Sequence, residues 1–398
     1  MNSNISKINP NSILYRKKEN ISLRIHEKLK HRKNKSCTSA ERKISPENKN
    51  KYLKSVLYRK RTNNSIDRLN DSMVKKKNVN IKNNNEIKNY LYENLICSLP
   101  FYNLNLNDLK YNLNHIIYFV DNTTIYKGKY FHNDVCIKEI KGINNLSKEE
   151  QDKIKNEIDI SIKLQHKNIL TTYGYSFNQK KTKIFIVSEY MKNKSLKSYI
   201  ETNKGKITLK QKLLFIYEIS LAIEYMHTRL YKILHRDIKS SNILLDENYH
   251  CKICDFGMSK YYCNDREVKI KNEESSNNNM TTNYQTNSQS TLFWMSPEYL
   301  CDGIINEKSD IYSLGILIWE IFMEDTNPYK NININDYLLG NKDIVYNNRP
   351  IINEENFKEC PKIKELMQLM WNSNYNKRPN IDFILNLLED LNYQYSFL

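Results

Sequence analysis

His235-Arg236-Asp237-Ile238-Lys239-Ser240-Ser241-Asn242 is followed thirteen residues later by Asp255-Phe256-Gly257. Moving a phosphoryl group asks little covalent chemistry of a protein. It needs a carboxylate to orient the attacking hydroxyl, cations at the phosphates, and oxygen ligands for a metal ion. Asp237 is a candidate for the carboxylate, Lys239 for a cation, and Asn242 with Asp255 for ligands of Mg²⁺. Taken singly, each has a plain reading: an Asp-Phe-Gly is often only a turn, and His-Arg-Asp recurs in unrelated loops. Order and spacing together carry the signal.

Upstream, Val135-Cys136-Ile137-Lys138 is an apolar, strand-like run ending in a cation. Ser147 and Glu150 have the spacing of a capping box, in which hydroxyl and carboxylate satisfy each other's orphan amides at a helix start. Along that helix Ile154, Ile158 and Ile162 recur at i+4 as an apolar stripe, and Glu157 lies nine residues before His166. Thr208 with Gln211 opens a second helix, whose stripe is Ile216, Ile219, Ile223 and Met226. Further on come Trp294-Met295-Ser296-Pro297-Glu298, Ser309-Asp310-Ile311-Tyr312-Ser313-Leu314-Gly315, and Lys377-Arg378-Pro379 shortly after Trp371. From about Leu113 to the C-terminus these ordered motifs resemble a eukaryotic protein kinase.

The resemblance implies an α+β, bilobal fold: a small β-rich lobe over 113–188, a hinge at 189–191 and a larger helical lobe over 192–396. It implies ATP and Mg²⁺, or Mn²⁺, as cofactors, protein substrates, and activation by another kinase or by autophosphorylation. By resemblance, Lys138 pairs with Glu157 and holds phosphates, Asp310 braces the catalytic loop, and Arg378 pairs with Glu298. Ile186-Val187-Ser188-Glu189-Tyr190-Met191 resembles a hinge, with Ser188 as gatekeeper and backbone groups of Glu189 and Met191 at the adenine edge. Tyr118, Val120, Ile125, Cys136 and Leu244 would line the rest of the nucleotide site. Lys239 and Thr291 are typical of Ser/Thr kinases, whereas the hinge, Trp-Met-Ser-Pro-Glu and Ile-Leu-Ile-Trp-Glu resemble tyrosine kinases. That mixture resembles the tyrosine-kinase-like group (Raf-like, mixed-lineage and IRAK-like enzymes), with Ser/Thr specificity implied.

Three departures stand out. The phosphate loop of a kinase is glycine-rich, but the alignment ending at Gly128 puts Tyr118, Val120 and Thr123 at the three glycine positions, where side chains cost φ > 0 geometry and space. Ser161 and Thr172 replace apolar residues in the internal stack of the active state, which predicts a loosely held helix around Glu157. The segment from Asp255 to Glu298 is 43 positions long and carries a polar insert at about 262–290, with Ser288, Ser290, Thr282 and Thr286 as phosphorylation candidates and Arg236 as the receiver. That insert is read equally as inert, disordered chain. The first two departures keep an alternative open, a pseudokinase scaffold that binds partners or ATP without efficient transfer.

Charge is concentrated at one end. The chain of 398 residues has a net charge of +17, and residues 1–100, with 24 basic and 8 acidic residues, carry +16 of it. Residues 1–112 therefore read as a basic, Asn/Lys-rich disordered arm, including Arg59-Lys60-Arg61 and Lys75-Lys76-Lys77. It is either a solvated tail or a contact for nucleic acid or acidic membrane. No run is apolar enough for a membrane span or signal peptide, so a cytoplasmic or nuclear location is expected. Cys251-x-x-Cys254 lacks a second matched pair, so packing cysteines are expected there rather than a zinc site.

Overall fold

A computed structural model of the chain describes residue 99 and residues 102–262, 268–269, 289–330 and 341–395. The basic clusters of the arm and Thr282, Thr286 and Ser288 lie outside the described residues. In the small lobe, β1 (Leu109–Val120), β2 (Thr123–Tyr130) and β3 (Asn133–Lys141) form a meander, followed by α1 (Lys148–Lys163), β4 (Thr172–Phe177) and β5 (Lys183–Glu189). The five strands make one antiparallel sheet in the order β1-β2-β3-β5-β4.

Strand alternation sorts β3 into two faces. Val135 and Ile137 join Leu109, Tyr126, Phe185 and Val187 on one side. Ile140 packs on the other with Ile154, Ile158 and Ile162 of α1. Lys138 shares that second face by parity, so β3 aims it at α1. The capping box of Ser147 and Glu150 forms and fixes where the helix begins.

The folded chain begins upstream of the boundary expected at Leu113. β1 starts at Leu109, the Leu104 amide donates to Tyr175 O at 2.7 Å, and Asn103 bridges Tyr175 in parallel. Leu99 is buried against the α1 stripe, and its carbonyl accepts the Tyr175 hydroxyl. Leu99, Leu104, Leu106 and Leu109 supply the apolar anchors; spaced among asparagines, they read as part of the polar arm.

The large lobe contains α2 (Leu196–Thr202), α3 (Leu209–His227), β6 (Lys232–Leu234), β7 (Ile243–Leu245), β8 (Cys251–Ile253), β9 (Lys260–Tyr262), β10 (Val268–Lys269), α4 (Pro297–Asp302) and β11 (Ile304–Ile305). It continues through α5 (Glu307–Met323), α6 (Lys342–Asn347), α7 (Pro361–Met370) and α8 (Ile381–Tyr395). The short strands pair antiparallel as β6-β9, β7-β8 and β10-β11. Thr208 caps α3, whose Ile216, Ile219, Ile223 and Met226 are fully buried. α5 is apolar nearly all round and buried along almost its whole length, as expected of a helix at the centre of a core. At Gly315 a Cβ would sit 3.1 Å from Met370 Cβ, so glycine is what lets α5 and α7 approach this closely. Among the described residues no helix is long and apolar enough to cross a membrane. Cys251 and Cys254 are free thiols, both pushed up by burial.

Candidate active site

Asp310, buried on α5, accepts the amides of His235 at 3.0 Å and Arg236 at 2.8 Å and contacts His227 Nε2 at 2.8 Å. Burial raises its pKa, but His227, the Arg236 amide and His235 outweigh that and hold it below the ordinary aspartate value. A charged carboxylate is therefore available to pin Arg236, whose φ of 69° lies in the costly left-handed region. The next residue, Asp237, is thereby aimed.

Around Asp237 the polar groups form a closed set. Asn242 Nδ2 donates to Asp237 O at 2.9 Å and to Asp237 Oδ2 at 2.8 Å. Asp237 Oδ1 lies 2.9 Å from Lys239 Nζ, close enough for the charge but without hydrogen-bond alignment. Lys239 Nζ instead donates to Thr291 Oγ1 at 2.7 Å, which ties the catalytic loop to the end of the long segment.

Lys138 Nζ reaches both oxygens of Glu157, at 2.7 and 2.8 Å, so the expected ion pair forms. Burial opposes the Lys138 charge, yet Glu157 and Asp255 raise its pKa above the ordinary lysine value and keep it protonated. Asp255 has a φ of 67° and accepts the Gly257 amide at 3.3 Å. Burial pushes its pKa up, but Lys138, His235, the Gly257 amide and Lys239 together bring it below the usual value. The His235 ring packs edge-on against Phe256, with centroids 5.1 Å apart.

This donor set fits a hard cation. Both Nδ2 hydrogens of Asn242 are committed to Asp237, so its carbonyl oxygen is the atom left for a metal, beside the charged Asp255. Among the described residues no group of three or more His, Cys, Asp or Glu side chains could hold a metal alone. Two oxygen ligands suit an ion that keeps waters and takes phosphate oxygens from its nucleotide.

At the hinge, the Glu189 amide donates to Thr171 O at 3.0 Å, and its carboxylate takes the Thr171 amide and Lys252. Ser188 is buried opposite Cys136 in the β3-β5 register. Ile125 pairs with Lys138, and Leu244 lies on β7. Burial pushes the Cys136 thiol up to about 11.

The expected backbone cost of the glycine-free loop is not present. Tyr118, Val120 and Thr123 continue the β1-β2 ladder, with Tyr118 opposite Ile125 and Val120 opposite Thr123. The hairpin turns at Asp121-Asn122, and the left-handed φ of 49° falls on Asp121, a residue type that tolerates it. Tyr118 and Val120 are exposed side chains at the tip. Buried Ser161, the polar stack residue of α1, donates back to Ile158 O within its own helix.

A family model places the site. A model of the protein tyrosine and serine/threonine kinase family covers residues 120–388. The chain belongs to this family. It is 34% identical over 266 residues to a putative serine/threonine-protein kinase/receptor (R826) of Acanthamoeba polyphaga mimivirus, which covers 66% of this chain and 14% of that protein. It is 29% identical to the dual specificity protein kinase shkA of Dictyostelium discoideum, over 67% of this chain and 47% of that one. The serine/threonine-protein kinase STY46 of Arabidopsis thaliana is 28% identical, over 72% of this chain and 45% of its own. The chain thus spans less than half the length of these relatives. Kinase domains of this family use ATP and a divalent metal, which accords with the donor set above.

In this kinase domain, Glu298 and Arg378 form a buried bidentate pair with both contacts at 2.7 Å. Ser309 Oγ also donates to Glu298, and Arg378 donates to the carbonyls of Lys308 and Asn372. Sequence reasoning named the motif around Glu320 without giving that residue a role. Its carboxylate accepts Ser240 Oγ at 2.5 Å, the Ser240 amide at 3.1 Å and Trp294 Nε1 at 2.9 Å, joining α5 to both functional loops. A Glu within the apolar, buried second half of α5 was the available signal.

Burial pushes Glu320 from 4.5 to about 7, although Ser240 and Trp294 pull it down. The folded state thus holds this proton more tightly than the unfolded chain. Its contribution to stability is complete below about pH 4.5 and is lost as pH rises through about 7. Glu320→Gln keeps an acceptor for the amide and the indole and can donate to Ser240 Oγ. The variant is therefore expected to gain on the wild type as pH rises from 5 to 8, by up to about 3 kcal/mol. Urea unfolding at several pH values measures it, and a pH-independent difference would refute the assignment.

Proposed function

We propose that the chain is an ATP-dependent protein serine/threonine kinase. One observation carries the reading: Lys138, Asp237, Lys239, Asn242 and Asp255 converge at one partly buried site, with Lys138 and Asp255 electrostatically coupled and Asn242 locked onto Asp237. In this reading Asp237 orients the substrate hydroxyl and takes its proton. Lys138 and Lys239 balance the phosphate charge. Asn242 and Asp255 hold Mg²⁺, which neutralises charge on the phosphate oxygens when bound.

The Lys239–Thr291 bond supports Ser/Thr specificity, and with the hinge residues it supports placement in the tyrosine-kinase-like group. Arg236 and Lys260 support regulation by phosphate on the segment. The Arg236 guanidinium lies over the Tyr299 ring and donates to its hydroxyl, its buried Nε has no partner among the described residues, and burial together with Arg236 lowers the pKa of Lys260. A phosphate there would answer two cations.

Incubation of the chain with γ-labelled ATP, Mg²⁺ and a generic basic protein, followed by phospho-amino-acid analysis, tests the proposal. Label on serine and threonine is expected. Label confined to tyrosine would overturn the specificity, and none after segment phosphorylation by an added kinase would overturn the activity.

A further inference from the structure

Asn156 precedes Glu157 on α1 and faces the turn that follows Asp255. Its Nδ2 donates to Phe256 O at 3.2 Å and to Ser259 O at 2.5 Å. Those carbonyls stand at the two ends of one tight turn, which the Ser259 amide closes by donating to Phe256 O at 3.0 Å. A primary amide has two N–H groups, and here each end of the turn takes one. Ser259 Oγ in turn donates to His235 O at 3.2 Å, and His235 Nε2 contacts Cys254 O at 3.1 Å. The stretch from Cys254 to Ser259 is thus held from α1 on one side and from the catalytic loop on the other.

We propose that Asn156 is a positioning residue that locks the Phe256–Ser259 turn to α1, so that the Lys138–Glu157 pair and the metal ligand Asp255 are set together. The inference deepens the kinase reading and rests on it for its catalytic consequence. Its physical basis is independent of that reading. Glu157 fixes α1 to β3 and Asn156 fixes α1 to the turn, so a movement of the helix breaks both connections. Asp255 has a left-handed φ, which an Asp tolerates but which its surroundings must hold against the commoner backbone regions. The neighbouring turn, pinned at both ends, supplies that restraint.

Asn156→Asp is nearly isosteric but can donate nothing, and it would face two carbonyl oxygens. Asn156→Gln retains a primary amide. Hydrogen exchange of the metal-free, full-length chain reads the lock directly. Amides of 256–260 in Asn156→Asp are expected to exchange at least tenfold faster than in the wild type, with an unchanged melting temperature and with much of the protection returned in Asn156→Gln. ADP affinity is measured with Mg²⁺ and with chelator. Asn156→Asp should lose the metal-dependent gain while its metal-free affinity stays within twofold. Wild-type exchange over 256–260 in Asn156→Asp would overturn the proposal. So would a uniform rise in exchange with equal loss of both affinities, the mark of a merely structural residue. If the exchange effect appears but the wild type transfers no phosphate, the kinase reading fails and the lock stands. If Asn156→Asp transfers phosphate at the wild-type rate, the positioning role fails and the kinase reading stands.

Discussion

Lys138→Met is expected to lower phosphate transfer by about 10²–10³-fold with the fold intact, the loss typical of one preorganised charge-stabilising group. The long apolar side chain fills the same space on β3, so packing in the small lobe is kept. Two things disappear with the ammonium. One is the cation beside Asp255, which holds that carboxylate below its usual pKa; without it, burial is opposed only by His235, the Gly257 amide and Lys239. The other is the partner of Glu157, since both of its oxygens contact Lys138 Nζ. A carboxylate left without its cation takes up a proton or moves towards water. The expected companion result is faster hydrogen exchange across α1, beginning near Glu157. Transfer within threefold of wild type would place phosphate binding elsewhere.

Arg378→Ala is expected to cost about 3–5 kcal/mol of stability, because it leaves Glu298 as an uncompensated buried charge. The pair is fully enclosed, and Arg378 also binds the carbonyls of Lys308 and Asn372 and lies over the Tyr312 ring. Against a total stability of about 5–15 kcal/mol, that loss is a large fraction. Arg378→Lys should recover little, since an ammonium cannot make the two-pronged contact. The double variant Arg378→Met with Glu298→Leu should recover much of the loss, because an apolar pair of similar volume leaves no orphan charge. Chemical unfolding of the three variants beside the wild type measures these differences. A cost below 1 kcal/mol for Arg378→Ala would contradict the structural role given to the pair.

What the sequence reveals follows from how local each determinant is. The capping box at Ser147 and Glu150 and the stripe Ile154, Ile158, Ile162 are set within one helix, and both form as read. The Lys138–Glu157 and Arg378–Glu298 pairs are long-range, but each partner sits in a motif whose order carries the pairing. Contacts outside any motif were illegible. Asn156 is an ordinary polar residue on a helix until the fold brings two carbonyls to it from a hundred residues away. Leu99 and Leu104 lie in Asn-rich sequence whose composition hides their spacing; Leu99 becomes core and Leu104 packs at its edge only because β4 offers an open edge. The backbone cost expected of the glycine-free loop is absent for a related reason. Its cost was assigned residue by residue, whereas a tight turn at Asp121-Asn122 confines the strained φ to a single position.

The most direct measurement is phosphate incorporation from γ-labelled Mg-ATP by the wild-type chain beside Asp237→Asn. Asparagine preserves the shape of the site but cannot accept the hydroxyl proton. Label on serine and threonine in the wild type, reduced about 10²–10⁴-fold in the variant, is the expected result for loss of a general base. Equal incorporation by both chains would contradict the role of Asp237 and, with it, the site built around that residue.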